Sequence, residues 1–317
     1  MHALTLHHGQ LNYQSNYAGR TPAVGTIPVD VRLAGICETD LQLVKGYMGF
    51  QGILGHEFVG IAREGRYAGQ RVVGEINCSC HQCQTCRSGA PTHCPHRTVL
   101  GILNHDGAFA DTLWLPEQNL HPIPDTVSDE SAVFVEPLAA AFQIAAQLDL
   151  RRFPRSIVLG DGRLGNLCAQ VLVQQGCQVT VWGKHRRKLE RIAALGIATQ
   201  LIFEGLVRQE ADLVVDVTGS VTGLPLACQL VRPRGTIVLK TTVADPQGPH
   251  LAPLVIDEIT LIGSRCGPFP PAIAALQDRL IHVEPLITGR FPLSLGAEAF
   301  QAATHGTHIK ILLDPRG

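Results

Sequence analysis

The sequence predicts a mixed α/β protein of two domains, an irregular all-β unit combined with a doubly wound parallel sheet. Three observations carry that expectation. The chain has 317 residues, more than one core usually supports, because single cores stop growing near ~250 residues. Residues 20–125 are rich in Gly, Pro and short β-like runs, whereas residues 156–263 alternate apolar strand candidates with helical patterns. Short buried strands separated by helices imply a parallel sheet covered on both faces.

The elements follow in order. Ile27–Leu33 and Gln70–Gly74 read as strands bounded by turn residues. From Ser128 the texture changes: Asp129–Leu148 carries alanines and apolar residues at helical spacing, with Ser128 as N-cap, which predicts one long helix. Ser156–Leu159 reads as a buried strand, Leu164–Gln175 as a helix, Gln178–Trp182 as a second strand, and Arg186–Leu195 as a helix closed by Gly196. Ala211–Val217, Gly235–Leu239 and Glu258–Ile262 supply further strands. A helix near Pro271–Leu280 and a strand at Ile309–Leu313 complete the chain. This order predicts a split domain, residues 1–153 plus 266–317, around an inserted domain at 154–265.

Composition narrows the function classes. Lys and Arg total 26 against 27 Asp and Glu, so no global field draws the chain to nucleic acid or an anionic membrane. With 45% hydrophobic and 17% charged residues the chain can fill two cores and is not a disordered one. A small-molecule partner is expected. Met1–His8 shows no basic segment followed by an apolar run, and no stretch is apolar for the ~18 residues a bilayer requires, so the cytoplasm is the expected location.

Five of the ten cysteines crowd into Cys78–Cys94, which in a long chain points to metal rather than to disulfides. Cys80, Cys83, Cys86 and Cys94 follow C-x2-C-x2-C-x7-C, a spacing that wraps four thiolates around one tetrahedral zinc. Such a closed site braces a loop and does no chemistry. Cys78 is a spare thiol that could replace Cys80. Upstream, Gly35-Ile-Cys37-Glu-Thr39-Asp40 and Gly55-His56-Glu57 offer a thiolate, an imidazole and a carboxylate, a mixed set suited to an open catalytic zinc. Taken singly, these fragments read as readily as a small core thiol and a solvated His–Glu pair.

Leu159-Gly160-Asp161-Gly162-Arg163-Leu164-Gly165 places G-x-G-x-x-G between a strand and a helix, the context a dinucleotide site requires. Gly160 makes the tight turn, Gly162 lets backbone approach the pyrophosphate, and Gly165 lets helix pack on strand. The helix start at Leu164 offers unpaired N–H groups to the phosphates. About ~20 residues beyond such a motif an acidic residue normally holds the adenosine ribose. Here the chain reads Gly183-Lys184-His185-Arg186, with no carboxylate. A small residue followed by cations favours NADP(H) over NAD(H), although the same run also reads as the solvated first turn of a helix.

Taken together and in this order, the motifs resemble the zinc-dependent medium-chain dehydrogenase/reductase family over nearly the whole chain. The resemblance implies a GroES-like β-barrel catalytic domain beside a Rossmann domain, with the active site in the cleft between them. It assigns the catalytic zinc to Cys37 and His56. The polyol dehydrogenase branch adds Glu136, from Glu136-Pro-Leu-Ala139, and Glu57 is either a ligand or a nearby exchange partner. Two zinc ions per chain are then expected. Thr39 is the expected proton carrier. Asp40 either orients His56 or caps a helix. Where the alcohol dehydrogenase branch ends its proton relay in a histidine, this chain has Gln42, which is no base near neutral pH. Glu38 also departs from the family's usual small residue, and Lys310 matches a basic position that reaches cofactor phosphates in some members.

The expected activity is hydride transfer between NADP(H) or NAD(H) and an alcohol, polyol, aldehyde or ketone. A catalytically silent dinucleotide-binding protein, sensor or structural, is the alternative on the same fold. A zinc-ribbon nucleic-acid binder is disfavoured by the balanced charge. Tyr47–Phe50 and Leu103–His105 are candidate substrate loops, and a homodimer or homotetramer is expected from the resemblance.

Overall fold

The computed structural model describes residues 1–202, 211–242, 248, 250–305 and 308–317. The chain divides into two compact units, residues 1–136 with 272–317, and residues 137–271. These divisions, at 136/137 and 271/272, differ from the expected domain bounds at 153/154 and 265/266.

In the first unit a seven-stranded sheet runs in the order Leu120–Pro122, Arg71–Gly74, Glu57–Ala62, Thr26–Gly35, Lys310–Asp314 and Ile287–Pro292, with Thr112–Pro116 also paired to Thr26–Gly35. The long Thr26–Gly35 strand alternates partly and fully buried residues along its first half, the period-two signature of a sheet with one face on a core. Its antiparallel register sets Gly35 opposite Glu57, and on its other edge opposite Leu312. That register brings together the ends of three strands remote in sequence, from which Cys37, His56, Glu57 and Lys310 project nearby.

The second unit holds, among the described residues, a six-stranded parallel sheet. Its order is Ala198–Leu201, Gln178–Gly183, Arg155–Leu159, Ala211–Asp216, Val231–Leu239 and Thr260–Gly263. Numbered along the chain this is 3-2-1-4-5-6, the doubly wound order of dinucleotide-binding sheets. Leu159 pairs with Trp182 on one side and Asp216 on the other, so three strands end at one level. Buried Ile157, Leu159, Trp182, Val214, Leu230 and Ile237 belong to a single cluster under these strands.

Two local findings differ from the expected elements. Asp129–Leu148 is not one helix but two, Asp129–Ala132 and Val135–Gln147. Ser128 caps the first as expected, its Oγ accepting from the Ser131 N–H at 3.1 Å. The break places Pro137 in the first turn of the second helix, where its missing N–H has no intrahelical partner to lose. Short elements at Ala198–Leu201, Gly223–Leu230 and Ala252–Ile256 were also not anticipated; four to eight residues are too few to display a period. Among the described residues no helix is long and apolar enough to cross a membrane.

Candidate active site

Cys37 closes the approach from the Thr26–Gly35 strand and stands at the N-cap of the Glu38–Val44 helix. His56 and Glu57 open the next strand, and the ligand atoms of Cys37, His56 and Glu57 all lie within 4.8 Å of one another. His56 is 2% exposed and Glu57 fully buried. His56 Nδ1 is buried without a hydrogen bond, 3.4 Å from an Asp40 oxygen, and the buried Glu57 carboxylate has Lys310 as its ion-pair partner. A buried polar atom without a hydrogen bond costs free energy unless something else satisfies it. One sulfur, one nitrogen and one oxygen donor converging on such a point suit a zinc ion. Glu136 lies in the first turn of the Val135–Gln147 helix, half-buried, and is not one of the three grouped residues.

Asp40 caps the helix and lies beside His56. Its Oδ2 accepts from the Cys37 N–H at 2.8 Å, completing a capping box at the helix start. Its Oδ1 accepts from the Gly55 N–H at 3.3 Å and lies 3.4 Å from His56 Nδ1. One fully buried carboxylate thus ties helix, turn and imidazole together. Burial disfavours the charged imidazole, but the charges of Asp40 and Cys37 outweigh it and hold the His56 pKa well above its ordinary value. The Thr39 hydroxyl stands 3.8 Å from Cys37 Sγ. Gln42 Nε2 donates to Glu38 Oε1 at 2.7 Å on the exposed face of the same helix, so these two departures from the family's pattern satisfy each other, one helical turn apart.

Lys310 joins the group from the last strand of the sheet. It is fully buried, forms an ion pair with Glu57, and sits 5.3 Å from the centre of the Phe134 ring. Burial lowers its pKa to about 8 against the opposing charges of Cys37 and Asp40. Space for it depends on Gly35, where an added Cβ would come within 2.4 Å of the lysine Cε. A lysine in an apolar strand run was the only signal of this in the sequence.

The cysteine loop gathers Cys80, Cys83, Cys86 and Cys94. Sulfur separations of 3.5 Å for Cys83–Cys86 and Cys94–Cys80, and 3.8 Å for Cys83–Cys94, approach the ~3.8 Å edge of a tetrahedron with ~2.3 Å zinc–sulfur bonds. Backbone N–H groups of Gln82 and Cys83 lower the Cys80 thiol to about 6. Cys78 is outside the group, and burial pushes its thiol up to about 11 against a hydrogen bond with Thr98. His105, in a candidate substrate loop, has Nδ1 3.0 Å from the Thr98 hydroxyl and Nε2 2.8 Å from the Trp114 carbonyl. Phe50 is a core residue at 6% exposure, while Tyr47 is 48% exposed.

The glycine turn of the second unit has the form a dinucleotide requires. Gly160 has φ +125°, and a Cβ there would meet the Val217 carbonyl at 2.8 Å. A Cβ on Gly165 would stand 2.0 Å from the Gly160 carbonyl, so strand and helix approach as closely as only glycine allows. Gly162 is the N-cap of the Arg163–Gln174 helix without a side-chain cap, Leu164 is half-buried in its first turn, and space beside Gly162 is open. Lys184, His185 and Arg186 are exposed after Gly183. Asp161, quoted within the motif but given no role from sequence, is bonded to His185.

Known proteins are similar to this chain in sequence and fold. Residues 24–125 match the alcohol dehydrogenase GroES-like domain. The chain is similar to the sorbitol dehydrogenase of Halalkalibacterium halodurans, 28% identical over 320 residues that cover 93% of each. It is also similar to the starvation-sensing protein RspB of Escherichia coli K12, 29% identical over 300 residues covering 88% of each. Its fold matches the crystal structure of RspB from E. coli CFT073, described as a short chain alcohol dehydrogenase complexed with NADH, with a TM-score of 0.90, 27% identity and 99% of both chains covered. The resemblance read from the motifs thus extends over the whole chain, GroES-like and Rossmann parts included.

Proposed function

We propose that this alcohol dehydrogenase-like oxidoreductase transfers a hydride between a nicotinamide dinucleotide and an alcohol or carbonyl substrate at a zinc held by Cys37, His56 and Glu57 or Glu136. The observation that carries this reading is the buried convergence of Cys37, His56 and Glu57 within 4.8 Å. Zinc, when bound there, supplies Lewis acidity to the substrate oxygen. Asp40 orients His56 and anchors the Cys37 backbone, so the donor set is held before a metal arrives. Thr39, beside Cys37, passes the hydroxyl proton. Gln42, engaged with Glu38, takes no part in the relay. Lys310 counters the Glu57 charge from within the core. Cys80, Cys83, Cys86 and Cys94 hold a second, structural zinc that braces their loop.

Gly160, Gly162, Leu164 and Gly165 seat the pyrophosphate at an uncapped helix start. For the adenosine end, exposed Lys184, His185 and Arg186 support NADP(H), and the Asp161 carboxylate beside Gly183 supports NAD(H). A polyol is the substrate class the sorbitol dehydrogenase relative suggests. A homodimer or homotetramer in the cytoplasm is the expected setting; exposed Val255, Ile256 and Leu261, just before and within the edge strand Thr260–Gly263, support self-association. The test is turnover of polyols, alcohols and aldehydes by the zinc-loaded chain with both cofactors. Activity lost with one zinc supports the reading. Dinucleotide binding without turnover on any of these, zinc being present, would leave the silent alternative.

A further inference from the structure

Cofactor choice in a doubly wound domain is normally set at the end of the second strand, where a carboxylate accepts hydrogen bonds from the ribose diol and repels a 2'-phosphate. Gly183 ends that strand here, and Gly183–Lys188 contains no acid. Its side-chain space is nevertheless filled. A Cβ built on Gly183 would stand 2.5 Å from both Cβ and Oδ2 of Asp161 and 2.8 Å from its Cγ. Asp161 comes from the glycine turn at the end of the first strand, and that turn is stitched to the second strand by the Gly160 N–H donating to the Trp182 carbonyl at 2.8 Å.

The carboxylate is fixed in place. Asp161 is 8% exposed, its Oδ2 accepts from the His185 N–H at 2.6 Å, and His185 Nδ1 lies 3.0 Å from Oδ1 and 3.1 Å from Oδ2. A carboxylate has about four lone-pair sites, so Oδ1 retains acceptor capacity. The competing cations are placed differently. Lys184 and Arg186 are exposed. Charges on mobile side chains in water are screened and count for little, whereas a held charge in a poorly solvated turn acts at higher effective strength.

We propose that Asp161, supplied by the glycine turn rather than by the second strand, selects the cofactor: it holds the adenosine ribose diol of NAD(H) and repels the 2'-phosphate of NADP(H), with the backbone N–H of His185 positioning it and the His185 imidazole competing for its oxygens. This rests on the dinucleotide reading of the second unit and reverses the preference suggested by the basic run. Asp161 rather than Gly183 is the residue to vary, since any side chain at Gly183 would collide with Asp161 before testing cofactor choice.

The experiment measures NADH and NADPH dissociation constants by fluorescence titration of the zinc-loaded full chain as wild type, Asp161→Asn and His185→Ala. Wild type should prefer NADH. Asp161→Asn should move the ratio of the two constants toward NADPH by about 10-fold or more. His185→Ala keeps the carboxylate and the backbone N–H that positions it and removes the imidazole contacts at 3.0 and 3.1 Å, so it should move the ratio the other way. A wild type that prefers NADPH, or an Asp161→Asn ratio equal to that of wild type, overturns the proposal. Should Asp161→Asn fail to fold, His185→Ala decides alone, and a ratio unchanged or shifted toward NADPH refutes the assignment. A wild type that binds neither dinucleotide overturns the parent reading and this one with it, an outcome distinct from tight binding of both cofactors with an unmoved ratio.

Discussion

Thr39 and Asp40 are neighbours on one helical turn but act at different points, and their variants should separate accordingly. Thr39 is half-buried beside Cys37, so Thr39→Val keeps its shape and removes only the hydroxyl. Turnover should fall by about 10²-fold, the scale of a lost acid–base step, with dinucleotide affinity near wild type. Single-turnover kinetics check this, and an unchanged hydride-transfer rate would remove Thr39 from the proton path. Asp40 makes no proposed contact with substrate; it accepts from Cys37 and Gly55 and faces His56. Asp40→Asn should therefore act on metal retention, weakening the Cys37–His56 zinc by about 10–100-fold. Competition with a chromogenic chelator measures it. The four-cysteine zinc, on a separate loop, should be unaffected.

At the scale of elements, the junction between the Arg155–Leu159 strand and the Arg163–Gln174 helix has no slack. Gly165→Ala would drive a methyl to 2.0 Å from the Gly160 carbonyl, so the helix start must move away from the turn. Overpacking of this kind costs about 1–3 kcal/mol, and the displaced N–H groups would lose their aim at the pyrophosphate. The expected result is a lowered melting temperature together with at least ~10-fold weaker binding of both NADH and NADPH, read by calorimetry and titration. A variant that binds both as wild type does would show that the close approach is dispensable. The double helix at Asp129–Ala132 and Val135–Gln147 teaches the converse. Its apolar periodicity runs through without interruption, and only Pro137 marks where the backbone restarts.

For the whole molecule, the two proposed metal sites differ in kind, and chelation should separate them. Four thiolates in one closed loop fold around their ion, whereas three donors with an open position remain accessible. Elemental analysis after mild chelation should find one zinc and the activity lost and one zinc retained; protein purified without chelator that contains no zinc would refute both assignments. The sequence by itself determined what is local or periodic. Strand and helix alternation, the glycine turn and the cysteine spacing are each carried within a few to some twenty residues, where backbone geometry makes spacing predictive. Tertiary structure alone decided what depends on sheet register and crossing. Lys310 meets Glu57 because Thr26–Gly35 lies between their strands. Asp161 fills the space above Gly183 because the first two parallel strands end side by side. A missing acid at one position could be read from the chain, but the acid that takes its place comes from 22 residues earlier, brought there by a strand pairing that no local pattern encodes.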